Sequence, residues 1–145
     1  FSYGVTSLDL TAGYCTLGNG GKYFKPYSYY KVVDQSGDII LDNTHNQGEP
    51  IFSAGTADVM REMMKTVISS SIGTGKGYGV DGFETFAKTG TTDDNLDKWF
   101  CGYTPYYSAA VWYGYDNRLR QTVVPTGDRS NAIKIWSYVM TRIHG

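Results

Sequence analysis

Apolar positions recur at helical spacing in three stretches of the chain and alternate at strand spacing in the stretches between them. Leu8, Ala12 and Cys15, with Leu10, Tyr14 and Leu17 alongside, follow Thr6 or Ser7 as cap and Asp9 in the first turn, and Gly18-Asn19-Gly20-Gly21 stops that helix. Residues 27–33 and 39–41 flank Asp34-Gln35-Ser36-Gly37-Asp38, the pattern of a β-hairpin closed by a glycine-containing loop. A polar loop is predicted over 42–50. Behind Ser53, Val59, Met60, Met63, Met64, Val67 and Ile68 form a second apolar helical face, assigned to the core, that ends near Ser69-Ser70-Ser71. Glycines 73, 75, 77, 79 and 82 predict a flexible connection into a strand over 83–91. Two more strands are predicted over 99–103 and 109–115, joined around Thr104-Pro105. Ile133, Trp136, Met140 and Ile143 mark a C-terminal amphipathic helix with Asp128 or Ser130 as cap. The order helix, hairpin, helix, three strands, helix predicts an α+β fold, an antiparallel sheet covered by helices.

Length and composition narrow the function. At 145 residues the chain has the size of one domain able to bury a core, and 13 tyrosines and 18 glycines against 4 prolines suit an ordered sheet-containing protein with tight turns. The formal net charge of −1, with basic residues scattered, provides no basic stripe for nucleic acid or an anionic membrane. The chain opens on Phe1-Ser2-Tyr3-Gly4, without an initiator methionine, a leader pattern or a membrane-length apolar run, and is expected to be a piece of something longer. Cys15 and Cys101 are predicted to be buried thiols, their pairing left open. His45 and His144 have no ligand-spaced neighbours, so no zinc site and no cofactor is expected.

Lys88-Thr89-Gly90-Thr91 carries the chemistry. A lysine and two hydroxyls in consecutive strand positions can hold a carboxylate, and the glycine between them lets a substrate backbone pair closely. Read alone, a lysine on an edge strand is a guard against sheet-to-sheet pairing, and Thr-Gly-Thr is ordinary strand-end material.

The flanks change that reading. The run Lys88-Thr89-Gly90-Thr91-Thr92-Asp93-Asp94-Asn95-Leu96-Asp97-Lys98-Trp99-Phe100-Cys101-Gly102-Tyr103-Thr104-Pro105, with Gly18-Asn19-Gly20-Gly21, Lys25-Pro26, the hairpin and Gly73-Thr74-Gly75, resembles the C-terminal part of the transpeptidase domain of class A penicillin-binding proteins. The resemblance implies an incomplete β-lactamase/transpeptidase-like fold over residues 1–145 and part of a D,D-transpeptidase that cross-links peptidoglycan stem peptides through a serine acyl-enzyme and binds β-lactams. It implies that Lys88 and Thr91 are catalytic, with the Thr91 amide as one of two oxyanion donors, and that Thr89, Gly90 and Thr91 bind substrate. It also implies a place at the extracytoplasmic face of the bacterial cell membrane.

The other two motifs of such enzymes are not in this sequence. No Ser-x-Asn occurs, and the single Ser-x-x-Lys, Ser28-Tyr29-Tyr30-Lys31, follows Pro26 in a strand pattern instead of opening a helix. The nucleophilic serine is therefore expected on an upstream segment or a separate chain, which would be the principal partner, and this chain alone is expected to be inactive. A non-catalytic peptide-binding module and a serine β-lactamase fragment are the alternatives.

Other motifs dissolve on inspection. Asp93, Asp94 and Asp97 lack the midway glycine and closing glutamate of a calcium loop and read instead as a turn that caps the strand. Trp99, Phe100 and Tyr103 read as packing and not as a substrate platform. The glycines of 77–82 fit a dinucleotide fingerprint by chance, since they lead into a strand, and Gly75-Lys76 lacks the rest of a phosphate loop.

Overall fold

A computed structural model describes residues 4–92, 95–115 and 131–145. Its elements run α1 (Ser7–Gly18), β1 (Lys22–Tyr23), β2 (Lys31–Val33), β3 (Ile39–Asp42), β4 (Glu49–Pro50), α2 (Ala54–Ser69), β5 (Phe86–Thr91), β6 (Asp97–Tyr103), β7 (Ser108–Gly114) and α3 (Asn131–His144). The α+β class holds. The strands form three separate antiparallel sheets, β1 with β4, β2 with β3, and β5-β6-β7.

Thr6 is the cap of α1. It exchanges bonds with Asp9 in a capping box, so two donors that would otherwise lack partners at the helix start are satisfied together. Ser53 caps α2 by accepting from Thr56 N at 3.1 Å. The caps named for the last helix, Asp128 and Ser130, lie outside the described residues.

Strand alternation gives the three-stranded sheet two working faces. Ala87 on β5, Phe100 on β6 and Val111 on β7 share the face covered by α3, where Ala132, Ile133, Trp136 and Met140 build the main core. Trp136 meets Phe100 edge-on with centroids 5.1 Å apart, and its indole donates to Ala109 O at 3.0 Å. Phe86 and Tyr103 stack on the opposite face, centroids 5.1 Å apart, and pack with Met64 of α2 and Tyr14 and Leu17 of α1. Gly102 is required by close approach: a Cβ there would stand 2.6 Å from Phe86 O and 2.8 Å from Ala87 Cβ.

Several expectations need correcting. The first hairpin strand is only Lys31–Val33; just before it Asn43 holds Tyr29 and Tyr30, its side chain donating to Tyr29 O and its N–H to Tyr30 O. Glu49–Pro50, assigned to loop, pairs with Lys22–Tyr23 as a two-residue strand. The strand predicted over 83–91 begins at Phe86, since Phe83 N–H closes a turn onto Val80 O. On α2, Met64 is buried, but Val59, Met60 and Met63 of the predicted core face are exposed. The glycine connection is a run of turns against the end of α2, where a Cβ on Gly73 would meet Val67 O at 2.4 Å. Glycine serves close contact there. Cys101 is buried and Cys15 only partly so, and both are free thiols.

Candidate active site

Lys88, Thr89, Gly90 and Thr91 occupy the C-terminal half of β5, an edge strand of its sheet among the described residues. β5 pairs with β6 in the register Lys88↔Cys101, Thr89↔Phe100, Gly90↔Trp99 and Thr91↔Lys98. Alternation therefore puts Lys88 and Gly90 on one face and Thr89 and Thr91 on the other. The three polar side chains expected to act as one clamp flank the free edge from both sides.

The backbone of that edge follows from one bond. Thr92 N–H donates to Asp97 O at 3.2 Å, which makes this pair a bonded rung of the ladder. Antiparallel alternation then turns the N–H and C=O of Thr91 and Thr89 away from β6, toward the open edge. The Lys88 ammonium folds over it and donates to Thr89 O at 2.7 Å. Thr89 Oγ1 lies 3.0 Å from Thr74 Oγ1 in the turn after α2. A Cβ on Gly90 would come within 3.0 Å of Trp99 Cβ, so this position has a packing reason for glycine besides substrate access.

The exit of β5 is closed by the capping turn the sequence predicts, with side-chain bonds that sequence reasoning missed. Asp97 Oδ2 accepts from Thr92 Oγ1 at 2.9 Å, Asp97 N–H donates to Thr92 Oγ1 at 3.0 Å, and Asp97 Oδ1 accepts from the Trp112 indole at 2.9 Å. Asn95, in the intervening turn, has φ 57 and donates its N–H to Thr92 O, while Lys98 Nζ donates to its side chain. In the sequence, Asp97 belongs to the acidic turn read as capping the strand, and the structure bears that turn out; the side-chain partners of Asp97 are what that reading leaves out. The five-residue spacing from Thr92 across a turn was the available signal, and Trp112, on the next strand, carried none.

Ser28 and Lys31 lie outside any helix, and Lys31 forms an ion pair with Asp42 at 3.6 Å. Residues 77–82 lead through turns to β5. A cavity of about 370 Å³ lies between the end of α2 and residues 77–85, lined by Lys65 and Glu84 among others. The hydrogen bond from Lys65 holds the Glu84 carboxyl below its usual range. A second cavity, about 720 Å³, sits between Leu8, residues 25–29 and Asp42 to Asn46. Neither is lined by residues 88–91. Among the described residues no helix is long and apolar enough to cross a membrane.

The family model described as the penicillin binding protein transpeptidase domain matches residues 1–133. The chain belongs to that family. Penicillin-binding protein 1A of Clostridium acetobutylicum is 36% identical over 137 residues, covering 94% of this chain and 16% of that protein. The protein of the same name from Streptococcus pneumoniae is 36% identical over 154 residues, 96% of this chain and 21% of its own length. The chain thus spans about a fifth or less of these relatives. Among solved structures, the PonA1 protein of Mycobacterium tuberculosis in complex with penicillin V has a TM-score of 0.78 at 28% identity, covering 97% of this chain and 38% of that one. Penicillin-binding protein 1A of Haemophilus influenzae shares the fold, with a TM-score of 0.77 at 18% identity and coverage of 96% and 26%. Members of the transpeptidase domain family therefore set the frame in which β5 is interpreted.

Proposed function

We propose that this chain is the C-terminal portion of a D,D-transpeptidase domain and supplies one wall of its acyl-transfer site. The observation that carries this reading is the open edge of β5, where the Thr91 amide and the Thr89 backbone groups face outward beside the Lys88 ammonium. A peptidoglycan stem peptide would extend along that edge as an added strand. Its reacting carbonyl oxygen would receive the Thr91 N–H, and its terminal carboxylate would meet the hydroxyls of Thr89 and Thr91 and the charge of Lys88.

The nucleophile is a serine on another segment of the domain, on the same or a separate polypeptide. Its oxygen bonds to the penultimate D-alanyl carbonyl carbon, the C–N bond to the terminal D-alanine breaks, and the serine proton reaches the departing amine. An acceptor amine on a second stem peptide then displaces the serine and completes the cross-link. A β-lactam enters the same site, its ring opening in place of the peptide bond, and the acyl group stays on the serine. Lys88 must release Thr89 O to take part, so substrate binding includes an exchange of hydrogen bonds at that carbonyl.

With one oxyanion donor and no nucleophile the chain is inert alone, since a single donor accounts for about 3 kcal/mol of barrier lowering. A place at the outer face of the cytoplasmic membrane is part of this reading, and the bacterial origin of the relatives supports it. The test is intact-mass analysis before and after incubation with a penicillin. The expected result is one added drug mass on the polypeptide segment bearing the serine, with residues 1–145 unmodified. Acylation within residues 1–145, or no uptake by the complete domain, would overturn the proposal. Reversible binding of stem peptide without acylation would favour a binding module, and rapid turnover of the drug a β-lactamase.

A further inference from the structure

We infer that Asp97 is a positioning residue for the acyl-transfer site: its carboxylate and backbone hold Thr92, and through it aim the Thr91 N–H at the open edge of β5. The inference rests on the transpeptidase reading for its role, and on geometry alone for its existence.

Four hydrogen bonds converge on this residue. Two tie Asp97 to the Thr92 hydroxyl, as acceptor through Oδ2 at 2.9 Å and as donor through its N–H at 3.0 Å. A third closes the ladder from Thr92 N–H to Asp97 O at 3.2 Å. The fourth anchors Oδ1 to the Trp112 indole of β7 at 2.9 Å, so the last rung of β5 is fixed to the far edge strand of the sheet. Gly114, the register partner of Asp97, completes the fit: a Cβ there would stand 3.1 Å from Oδ1 and 2.8 Å from Trp112 Cζ2. Both carboxylate oxygens are thus committed to separate partners, one just past the end of β5 and one on β7.

A turn needs less than this to close. Thr92 directly follows Thr91, and the peptide between them fixes the plane in which the Thr91 donor lies. A strand end fastened only by one backbone bond frays. Here the threonine hydroxyl is held by both the carboxylate and the amide of Asp97, and that clamp is referred to β7 rather than to its own hairpin alone. An oxyanion donor has to be in place before charge develops, since a donor that must reorient during the reaction loses most of its value.

Asp97→Ala removes both side-chain bonds. Asp97→Asn keeps an acceptor for the indole and offers its amide N–H to the Thr92 hydroxyl, which has a lone pair free to accept it. The experiment uses the complete domain carrying this sequence together with its serine, and reads three things: the titre of sites acylated by a labelled penicillin, the first-order acylation rate constant of those sites, and hydrogen exchange at the Thr92 amide. Expected for Asp97→Ala is an acylation rate constant about 10- to 100-fold lower in the sites that remain competent, with faster exchange at Thr92, and substantial recovery of both by Asp97→Asn.

A merely structural Asp97 would lower the titre and leave the rate constant of the surviving sites unchanged, which would overturn the inference. So would an Asn variant as slow as the Ala variant. If the unsubstituted domain takes up no penicillin, the transpeptidase reading fails instead. The Thr92 exchange rates then decide the brace by themselves, and equal rates with and without the Asp97→Ala substitution would refute it.

Discussion

Two β-structures in this chain carry similar apolar residues and meet different fates. In the β5-β6-β7 sheet, Ala87, Phe100 and Val111 lie beneath α3, and Phe100 and Trp136 are 0% exposed. In the β2–β3 hairpin, Val33, Ile39, Ile40 and Leu41 are all exposed, Ile40 at 61%. Residue type does not separate them. What separates them is a second layer: the larger sheet has helices on both faces, whereas among the described residues no helix packs extensively on the hairpin. A two-stranded ribbon without such a layer is marginal in water. The same contrast runs through α2, where Met64 reaches the sheet and Met63, one position earlier, stays exposed. Burial is a property of the partner surface as much as of the side chain.

Substitutions sharpen this contrast in graded steps. Trp136→Ala should cost about 3–5 kcal/mol in denaturant unfolding, because it leaves a large cavity over Phe100 and deprives Ala109 O of its donor. Gly102→Ala comes next, at about 1–3 kcal/mol, since the added methyl collides with Phe86 O and Ala87 in a packed sheet. Alkaline pH provides a third probe of the same sheet. Burial pushes the Cys101 thiol up to about 11 and the Tyr14 and Tyr103 phenols up to about 12. The folded chain therefore keeps protons that the unfolded chain releases from about pH 9 upward, and stability should be full below that value and fall as pH rises through 11 and 12. Unfolding measured from pH 8 to 12 checks this, and Cys101→Ala should move the onset up to about pH 10, where the tyrosines begin. Ile40→Ala in the hairpin should change stability by less than about 0.5 kcal/mol. A cost there equal to that of a core residue would mean that the hairpin is covered in the folded protein, and the comparison would break.

How far the sequence could be read follows the same division. The helices were legible from caps and period, Thr6 with Asp9 and Ser53 with Thr56 supplying local signals that need no tertiary context. The three strands around the motif were legible because alternation and glycine punctuation agree. Lys88 to Thr91 stood out through residue chemistry and flanks. The short β1–β4 pair escaped because two residues on each side hold too little pattern to detect. Met63 was misassigned to the core because periodicity marks an apolar face without saying how wide the covering surface is. Asp97 was legible as part of a capping turn but its bond to Trp112 was not, because that partner lies fifteen residues on in β7 and only the sheet register brings the two together.

The bond from Lys88 to the Thr89 carbonyl also bears on how this protein behaves in crowded solution. An exposed sheet edge offers a row of acceptors to any extended chain, including another copy of itself. Lys88 sets its positive charge on one acceptor of that row, which makes the edge a poor template for stacking, and on the proposed reading a ligand that brings its own carboxylate would draw the amine away. On that reading the edge would screen its visitors by charge. Acetylation of that amine should remove the screen, seen as a rise in light scattering at concentrations where the unmodified protein stays clear.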